Sequence, residues 1–361
     1  MRLYNIPPSP PASRRDFLRT CGGAAAAFGA GLADSRLLRA ADDNPELSAG
    51  DMITPEADQA IELGLSFLAS RQQEDGSFGG GGYSRDVAVA ALAGMAFMAG
   101  GSTPGRGPHG DKVENCIRYL ADNTQDSGYI NAPGSGSHGP MYGHGFATLF
   151  LAETYDMTRR NDIRDKLSRA VSLICNTQNA DGGWRYQPIR KEADLSVTIC
   201  QIMALRAAKN AGLHVPAEVA DKCIEYVKKS QNADGGFMYM ISGGQSAFPR
   251  SAAGVVALYS AGIYDGPEVE SGLGYIMDYL PQGGGFNRES HYFYGHYYAV
   301  QAMWIKGGDH WRRWFPAVRD ELIIRQRKDG SWMDPICQEY GTAMACIILQ
   351  IPNNYLPIFQ R

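Results

Sequence analysis

One short stretch recurs through this chain at nearly fixed intervals. Gln178 to Trp184 reads QNADGGW, Gln231 to Phe237 reads QNADGGF, Gln72 to Phe78 reads QQEDGSF and Gln326 to Trp332 reads QRKDGSW. Weaker copies stand at Gln125 to Ile130 (QDSGYI) and Gln282 to Phe286 (QGGGF). Successive leading glutamines are 53, 53, 53, 51 and 44 residues apart. A period this long marks a repeat architecture, in which each unit buries its apolar face only against its neighbours.

Each copy follows an amphipathic run and precedes an apolar one. Ser168 to Gln178 places Ala170, Leu173, Ile174 and Thr177 on one helical face. The Asp-Gly pair then ends the helix, because glycine enters the left-handed conformation without a Cβ clash. The next aromatic is placed to pack between two helices, so the motif reads as a structural corner rather than a row of ligand-stacking rings. Thr54-Pro55-Glu56 is a helix start, and Ile61, Leu65 and Leu68 mark its buried face. Later first helices begin near Asp111, Asn161, Pro216, Pro267 and His310. The second helix of each unit, such as Val87 to Ala99 or Val197 to Ala208, is apolar nearly all round and must be buried on every side. Six such pairs fill residues 54 to 350 as two layers, the apolar set inside. An open superhelix needs polar caps at its ends. The last inner helix here, Thr342 to Ile351, stays apolar to its end, so a closed ring is favoured. The tail from Pro352 to Arg361, with Tyr355, Leu356 and Phe359, is expected to pack back on the body.

The chain has 361 residues and a net charge of −4, which leaves no basic field for nucleic acid. No apolar run reaches the roughly 18 to 20 residues of a membrane-spanning helix. Ser13-Arg14-Arg15-Asp16-Phe17-Leu18 precedes an apolar, alanine-rich stretch from Gly22 to Ala33, the pattern of a twin-arginine export signal. Residues 1–45 therefore read as a signal peptide with a flexible linker, cut near Ala33, Ala40 or Ala41, and residues 46–361 as the repeat domain. The expected partner in export is the twin-arginine machinery, and the expected location is periplasmic or otherwise extracytoplasmic. Beyond the signal, Cys116, Cys175, Cys200, Cys223, Cys337 and Cys346 show no C-x-x-C pair and read as mostly buried thiols.

A glutamine, a helix end, Asp-Gly and an aromatic, recurring beside paired helices, resembles the repeats of squalene and hopene cyclases and of protein prenyltransferase β subunits. The resemblance covers residues 54 to 350. It implies an all-α fold, an α/α toroid of six helix pairs, with chemistry at the starts of the inner helices facing a central cavity. The cyclase acid stretch Asp-x-Asp-Asp-Thr has its nearest match at Asp194-Leu195-Ser196-Val197-Thr198, where Ser196 and Val197 replace the inner aspartates. The Asp-x-Cys spacing of the prenyltransferase zinc pair occurs once, at Asp221-Lys222-Cys223, inside a first helix of its unit rather than at an inner-helix start, and the Gly-Cys-Gly-Glu-Gln stretch of the thioester proteins does not occur.

The inner-helix starts carry other groups. Tyr142 to Ala147 and Tyr294 to Ala299 share the pattern Tyr-Gly-His-x-aromatic-Ala, in units that lie opposite each other in a six-membered ring. Units one and four carry Arg85 with Asp86, and Arg250; units three and six carry Asp194 with Thr198, and Glu339 with Thr342. This predicts a polar ring around an aromatic-lined cavity, with His144, Asp194 and His296 as catalytic groups and Arg85, Tyr142, Thr198, Arg250, Tyr294, Tyr298 and Glu339 as ligand contacts. The plainer alternative is that these groups cap and bridge helices. A metal between His144, His296 and Asp194 stays open; the sequence identifies neither metal nor cofactor. The expected function is binding of an apolar, isoprenoid-like ligand, with transferase or cyclase-like chemistry. The alternatives are a polysaccharide lyase-like toroid, using Arg85, Arg250, Asp194 and Glu339 on a polymeric ligand, and a non-catalytic scaffold of the cell envelope.

Overall fold

In this computed structural model the described residues are 44–134, 139–282 and 290–360. The export segment lies almost wholly outside them. So do Gly283 to Phe286 of the fifth motif copy and most of the glycine-rich stretch from Gly134 to Gly139. A short helix α1 (Pro45–Met52) leads into α2 (Pro55–Arg71), α3 (Val87–Ala99), α4 (Gly110–Asp122), α5 (Pro140–Thr158), α6 (Asn161–Thr177) and α7 (Leu195–Asn210). Then come α8 (Ala217–Lys229), α9 (Phe248–Ser260), α10 (Pro267–Met277), α11 (Tyr292–Lys306), α12 (Gly308–Arg325) and α13 (Gln338–Gln350).

The odd helices from α3 onward form the inner layer and the even ones the outer layer. In α6 the buried side chains are Ile163, Leu167, Ala170, Val171 and Ile174, one stripe of a two-faced helix. In α3 every residue but Ala88 is buried. Each inner helix packs on the next, and α13 packs on α3. The ring is therefore shut.

The motif glutamines pin the ring together. Gln178 Nε2 donates to the Gly182 carbonyl of its own turn and to the Val219 carbonyl of the next outer helix, both at 2.9 Å. Gln231 makes the same pair with Gly235 and Glu268. Gln326 donates to Gly330 at 3.0 Å and to Ala60, in the first outer helix, at 2.8 Å. That last bond closes the circle, seconded by Arg71 Nε to Glu339 Oε1 at 2.9 Å. The motif glycine permits the crossing. Gly182 has φ +100°, and a Cβ on it would sit 2.1 Å from the Lys222 carbonyl oxygen. The motif side chains Phe78, Ile130, Trp184, Phe237 and Trp332 are buried. The indole N–H groups of Trp184 and Trp332 donate to the Ile174 and Leu322 carbonyls at 2.8 Å. The motif is a corner, as its turn chemistry implied.

After α13 the tail crosses the C-terminal ends of the inner helices. Leu356, Ile358 and Phe359 are buried there, with the Phe359 ring 6.3 Å from Tyr297. Arg206 Nη2 donates to the Gln360 carbonyl at 2.9 Å, and Glu153 Oε2 accepts the Ile358 amide at 3.3 Å. Burial pushes the Glu153 carboxyl up to about 8, so it is largely neutral at pH 7. Among the described residues the six cysteines are free thiols, four of them buried. No helix among the described residues is long and apolar enough to cross a membrane.

Candidate functional site

A cavity of about 630 Å³ lies among the inner-helix N-termini, at the end of the ring opposite the tail. One helical position supplies most of its character, the third residue after the N-cap. An α-helical side chain leans toward the N-terminus of its helix, so residues at this position project over the mouth. They are Val89, Tyr142, Val197, Arg250, Tyr294 and Tyr340, and all but Val197 line the cavity. Tyr83, Tyr186 and Tyr239 add further rings, and Phe146, two turns down α5, is the lining side chain furthest along an inner helix.

The tyrosines reach across the ring. Tyr142 and Tyr294, on opposite helices α5 and α11, approach edge to face with centroids 6.5 Å apart. The Tyr294 hydroxyl donates to the Ser196 carbonyl at the start of α7, 2.8 Å away. Burial raises the phenols of Tyr142, Tyr294 and Tyr340 well above their ordinary range, so they act as neutral donors. Tyr186 and Tyr239 follow their motif aromatics by two residues and hydrogen-bond to each other through their hydroxyls. They are two lining groups the sequence reading missed. The repeat signals them, since they are 53 residues apart in adjacent units. His291 and Tyr340 were missed as wall groups too.

Of the residues predicted as catalytic groups or ligand contacts, Tyr142, Tyr294 and Arg250 line the cavity and the others do not; Asp86, placed in the polar ring beside Arg85, lines it too. His144 and His296 are fully buried behind the inner helices. His144 Nδ1 accepts the amide of Ile130, the motif position, at 3.1 Å, which places its proton on Nε2. The same job falls to Thr198 for Trp184, Ser251 for Phe237 and Thr342 for Trp332. In the Tyr-Gly-His pattern the tyrosine therefore faces the cavity and the histidine faces the outer layer. The glycine between them lies against its neighbour: a Cβ on Gly143 would meet Val87 Cγ2 at 2.7 Å. Burial lowers His144 to about 4 and His296 to about 3, so both are neutral imidazoles that do not exchange a proton near neutral pH. His296 is packed among Tyr292, Phe248 and Trp314.

Thr198 is buried, and besides the Trp184 amide it bonds the Asp194 carbonyl at 2.7 Å. Tyr298 is buried against Cys200 Sγ at 3.4 Å. Arg85 turns outward to Asp75 at 2.6 Å, and Glu339 is taken by Arg71. Local capping and ion pairing hold these groups away from the wall. Among the described residues no three His, Cys, Asp or Glu side chains gather as a metal site, so His144, His296 and Asp194 do not meet.

Asp194 sits one layer behind the wall. It is the N-cap of α7, its Oδ1 accepting the Val197 amide at 2.9 Å. Its Oδ2 is buried with no hydrogen bond of normal geometry, although Tyr239 is near enough to favour the charged form. Burial outweighs these effects and pushes the carboxyl up to about 6. Asp86, the lining carboxylate, caps α3 by accepting the Ala88 and Val89 amides at 2.7 and 3.2 Å. Arg250 Nε donates to the Phe237 carbonyl at 2.9 Å and Nη2 to the Gln245 carbonyl.

Solved structures with this architecture have different chemistries. The type II terpene cyclase MstE from Scytonema superposes with a TM-score of 0.57 at 15% identity, covering 84% of this chain and 100% of that one. A GH76 α-mannanase from Bacteroides thetaiotaomicron gives 0.59 at 12% identity, over 85% and 98% of the two chains. The α-1,6-mannanase GH76A of a Salegentibacter species gives 0.60 at 7% identity, over 83% and 99%. Identities this low speak for the fold alone. No curated protein matches the sequence. The prenyltransferase α/α-toroid domain profile matches residues 57–170 and 161–333, most of the chain. With its shut ring of paired helices and its cavity at the inner-helix N-termini, the chain belongs to the prenyltransferase α/α-toroid family.

Proposed function

We propose that this protein is an exported toroid that takes an apolar, isoprenoid-class ligand into its tyrosine-lined cavity. The observation that carries this reading is the ring at the third helical position, where Tyr142, Tyr294 and Tyr340 present aromatic surface with Val89 and Phe146 beside them. A volume of about 630 Å³ suits a small ligand. Ring faces pack well against branched hydrocarbon and stabilise positive charge developing on it. Any cyclase-like step would draw on Asp194, the buried acid behind Tyr239, with the Tyr239–Tyr186 pair leading its proton to the wall. A glycan-cleaving reading has less support. Hydrolysis needs two carboxylates flanking the bond, and Asp86, the lining carboxylate, is engaged in capping. Arg85 and Glu339, wanted by the lyase reading, are paired off the wall.

The test is binding of prenols and of oligosaccharides to the purified protein, followed by intrinsic fluorescence. Prenols are expected to bind, and Tyr142→Ala to weaken them by tenfold or more. Saturable oligosaccharide binding with no prenol binding would overturn the proposal. If a prenyl compound is turned over, Asp194→Asn is expected to abolish turnover while leaving affinity within a few-fold. Export is proposed from Arg14 and Arg15 and the apolar stretch after them. Replacing both arginines by lysine should leave the protein in the cytoplasm of a bacterial host.

A further inference from the structure

Two cavities lie at opposite ends of the inner ring, and a row of aromatic rings packed edge to face separates them. The first is the tyrosine-lined site, whose deepest lining side chain is Phe146. The second, about 540 Å³, opens at the C-terminal ends of α7 and α9 and is lined by Arg206, Tyr259 and the tail residues Pro357 and Gln360. Between them, Phe146 meets Tyr297 with centroids 6.1 Å apart, and Tyr297 meets Phe359 of the tail at 6.3 Å. Phe146, Tyr297 and Phe359 are each at most 3% exposed. The tail thus backs the floor of one cavity and forms a wall of the other.

The partition is held lightly. The Tyr297 hydroxyl is buried with no hydrogen bond of normal geometry, although the Gln301 side chain is near enough to favour its charged form. A buried polar group in that condition costs free energy that a partner would recover. The polar anchors of Ile358 and Gln360 are the 3.3 Å bond to Glu153, the 2.9 Å bond from Arg206 and a bond from the Gln360 side chain to the Asn354 carbonyl. Nearer its start the tail is tied by Asn353 Nδ2 to the Ala99 carbonyl at 3.1 Å and by Asn354 Nδ2 to Glu46 Oε1 at 2.7 Å, and the burial of Leu356, Ile358 and Phe359 supplies the rest. Such a segment can leave without breaking a helix.

We propose that the C-terminal tail sets the length of ligand this protein accepts: Phe359, acting through Tyr297, holds the floor at Phe146, and withdrawing it joins the two cavities. This rests on the isoprenoid reading above and adds a specificity element to it. Phe359 is a positioning residue, since it touches the floor and not the ligand.

The test measures affinity for prenols of increasing chain length in the full-length protein, in Phe359→Ala and in Tyr355→Ala. Tyr355 is a tail residue 38% exposed and outside the row, and serves as the control. In the unaltered protein affinity is expected to rise with each isoprene unit and then fall tenfold or more once the chain outgrows the floor. Phe359→Ala is expected to move that fall at least one isoprene unit longer, and Tyr355→Ala to leave it in place. An unchanged limit in a Phe359→Ala protein with native near-ultraviolet circular dichroism overturns this inference alone. Failure of every prenol to bind any of the proteins overturns the ligand reading, and this inference with it. Should Phe359→Ala not fold, Phe359→Leu is read by the same criterion, with a smaller shift expected.

Discussion

His144 sits where other units carry a serine or threonine, and the exchange is a matter of reach. In the second unit the motif is one residue shorter, with Ile130 five places after Gln125 where Trp184 is six after Gln178. The imidazole supplies the acceptor that a hydroxyl supplies for Trp184 and Trp332. His144→Ala should leave the Ile130 amide unpaired and lower stability by about 1–3 kcal/mol, while prenol affinity stays unchanged. Both histidines are neutral in the folded protein because burial opposes their charge. Their folded values, about 4 and about 3, lie below the ordinary 6.5, so the unfolded chain takes up these protons first as pH falls. Stability from this source is therefore present above pH 6.5 and lost progressively as pH falls toward 4 and 3. Glu153 and Asp194, raised by burial, act in the opposite sense over this range, so the His144 contribution is read as a difference: from pH 7 to pH 4 the urea midpoint of His144→Thr should rise relative to that of the unaltered protein. An equal slope in the two proteins would remove His144 burial from the explanation.

The element that repeats is a joint rather than a helix. Each well-formed motif glutamine ties its own glycine turn to the outer helix of the next unit, and Gln326 does so across the junction of last unit and first. Were the chain an open superhelix, the last glutamine would have no following helix to hold. In the closed ring Gln178→Leu and Gln326→Leu should cost the same, about 1–3 kcal/mol each, because each leaves a turn glycine carbonyl without its donor, read from urea denaturation. A negligible cost at Gln326 beside a full cost at Gln178 would mean that the ring opens there in solution. The glutamine period was plain in the sequence because turn chemistry and its glycine tolerate little change. The carbonyls it holds were not, since a main-chain partner leaves no mark on the residue type that provides it.

At the scale of the molecule, closure makes every unit a neighbour of two others. An open solenoid loses end units gradually, because each contacts only the adjacent repeats. Deleting residues 308–360, which hold α12, α13 and the tail, strips α3 and α11 of packing partners at once. The expected result is loss of cooperative thermal unfolding, whereas the intact repeat domain should melt in one transition. A truncated protein that still melts cooperatively near the original temperature would argue against closure as the source of stability.

What the sequence determined by itself was whatever periodicity and local turn chemistry control: six units, two layers, corners at Asp-Gly and the apolar character of the inner helices. It also pointed to the inner-helix starts as the place to look for a site. What it left undecided was the direction each polar group faces there. Adjacent residues on a helix point about 100° apart, so Tyr142 and His144 share a motif yet serve opposite sides of the inner wall. Only the packing of neighbouring helices, closed by Gly143 against Val87, settled that the tyrosine belongs to the cavity and the imidazole to the corner. The tail likewise gained its place from tertiary structure, because the aromatic row that receives Phe359 comes from helices far apart in the chain.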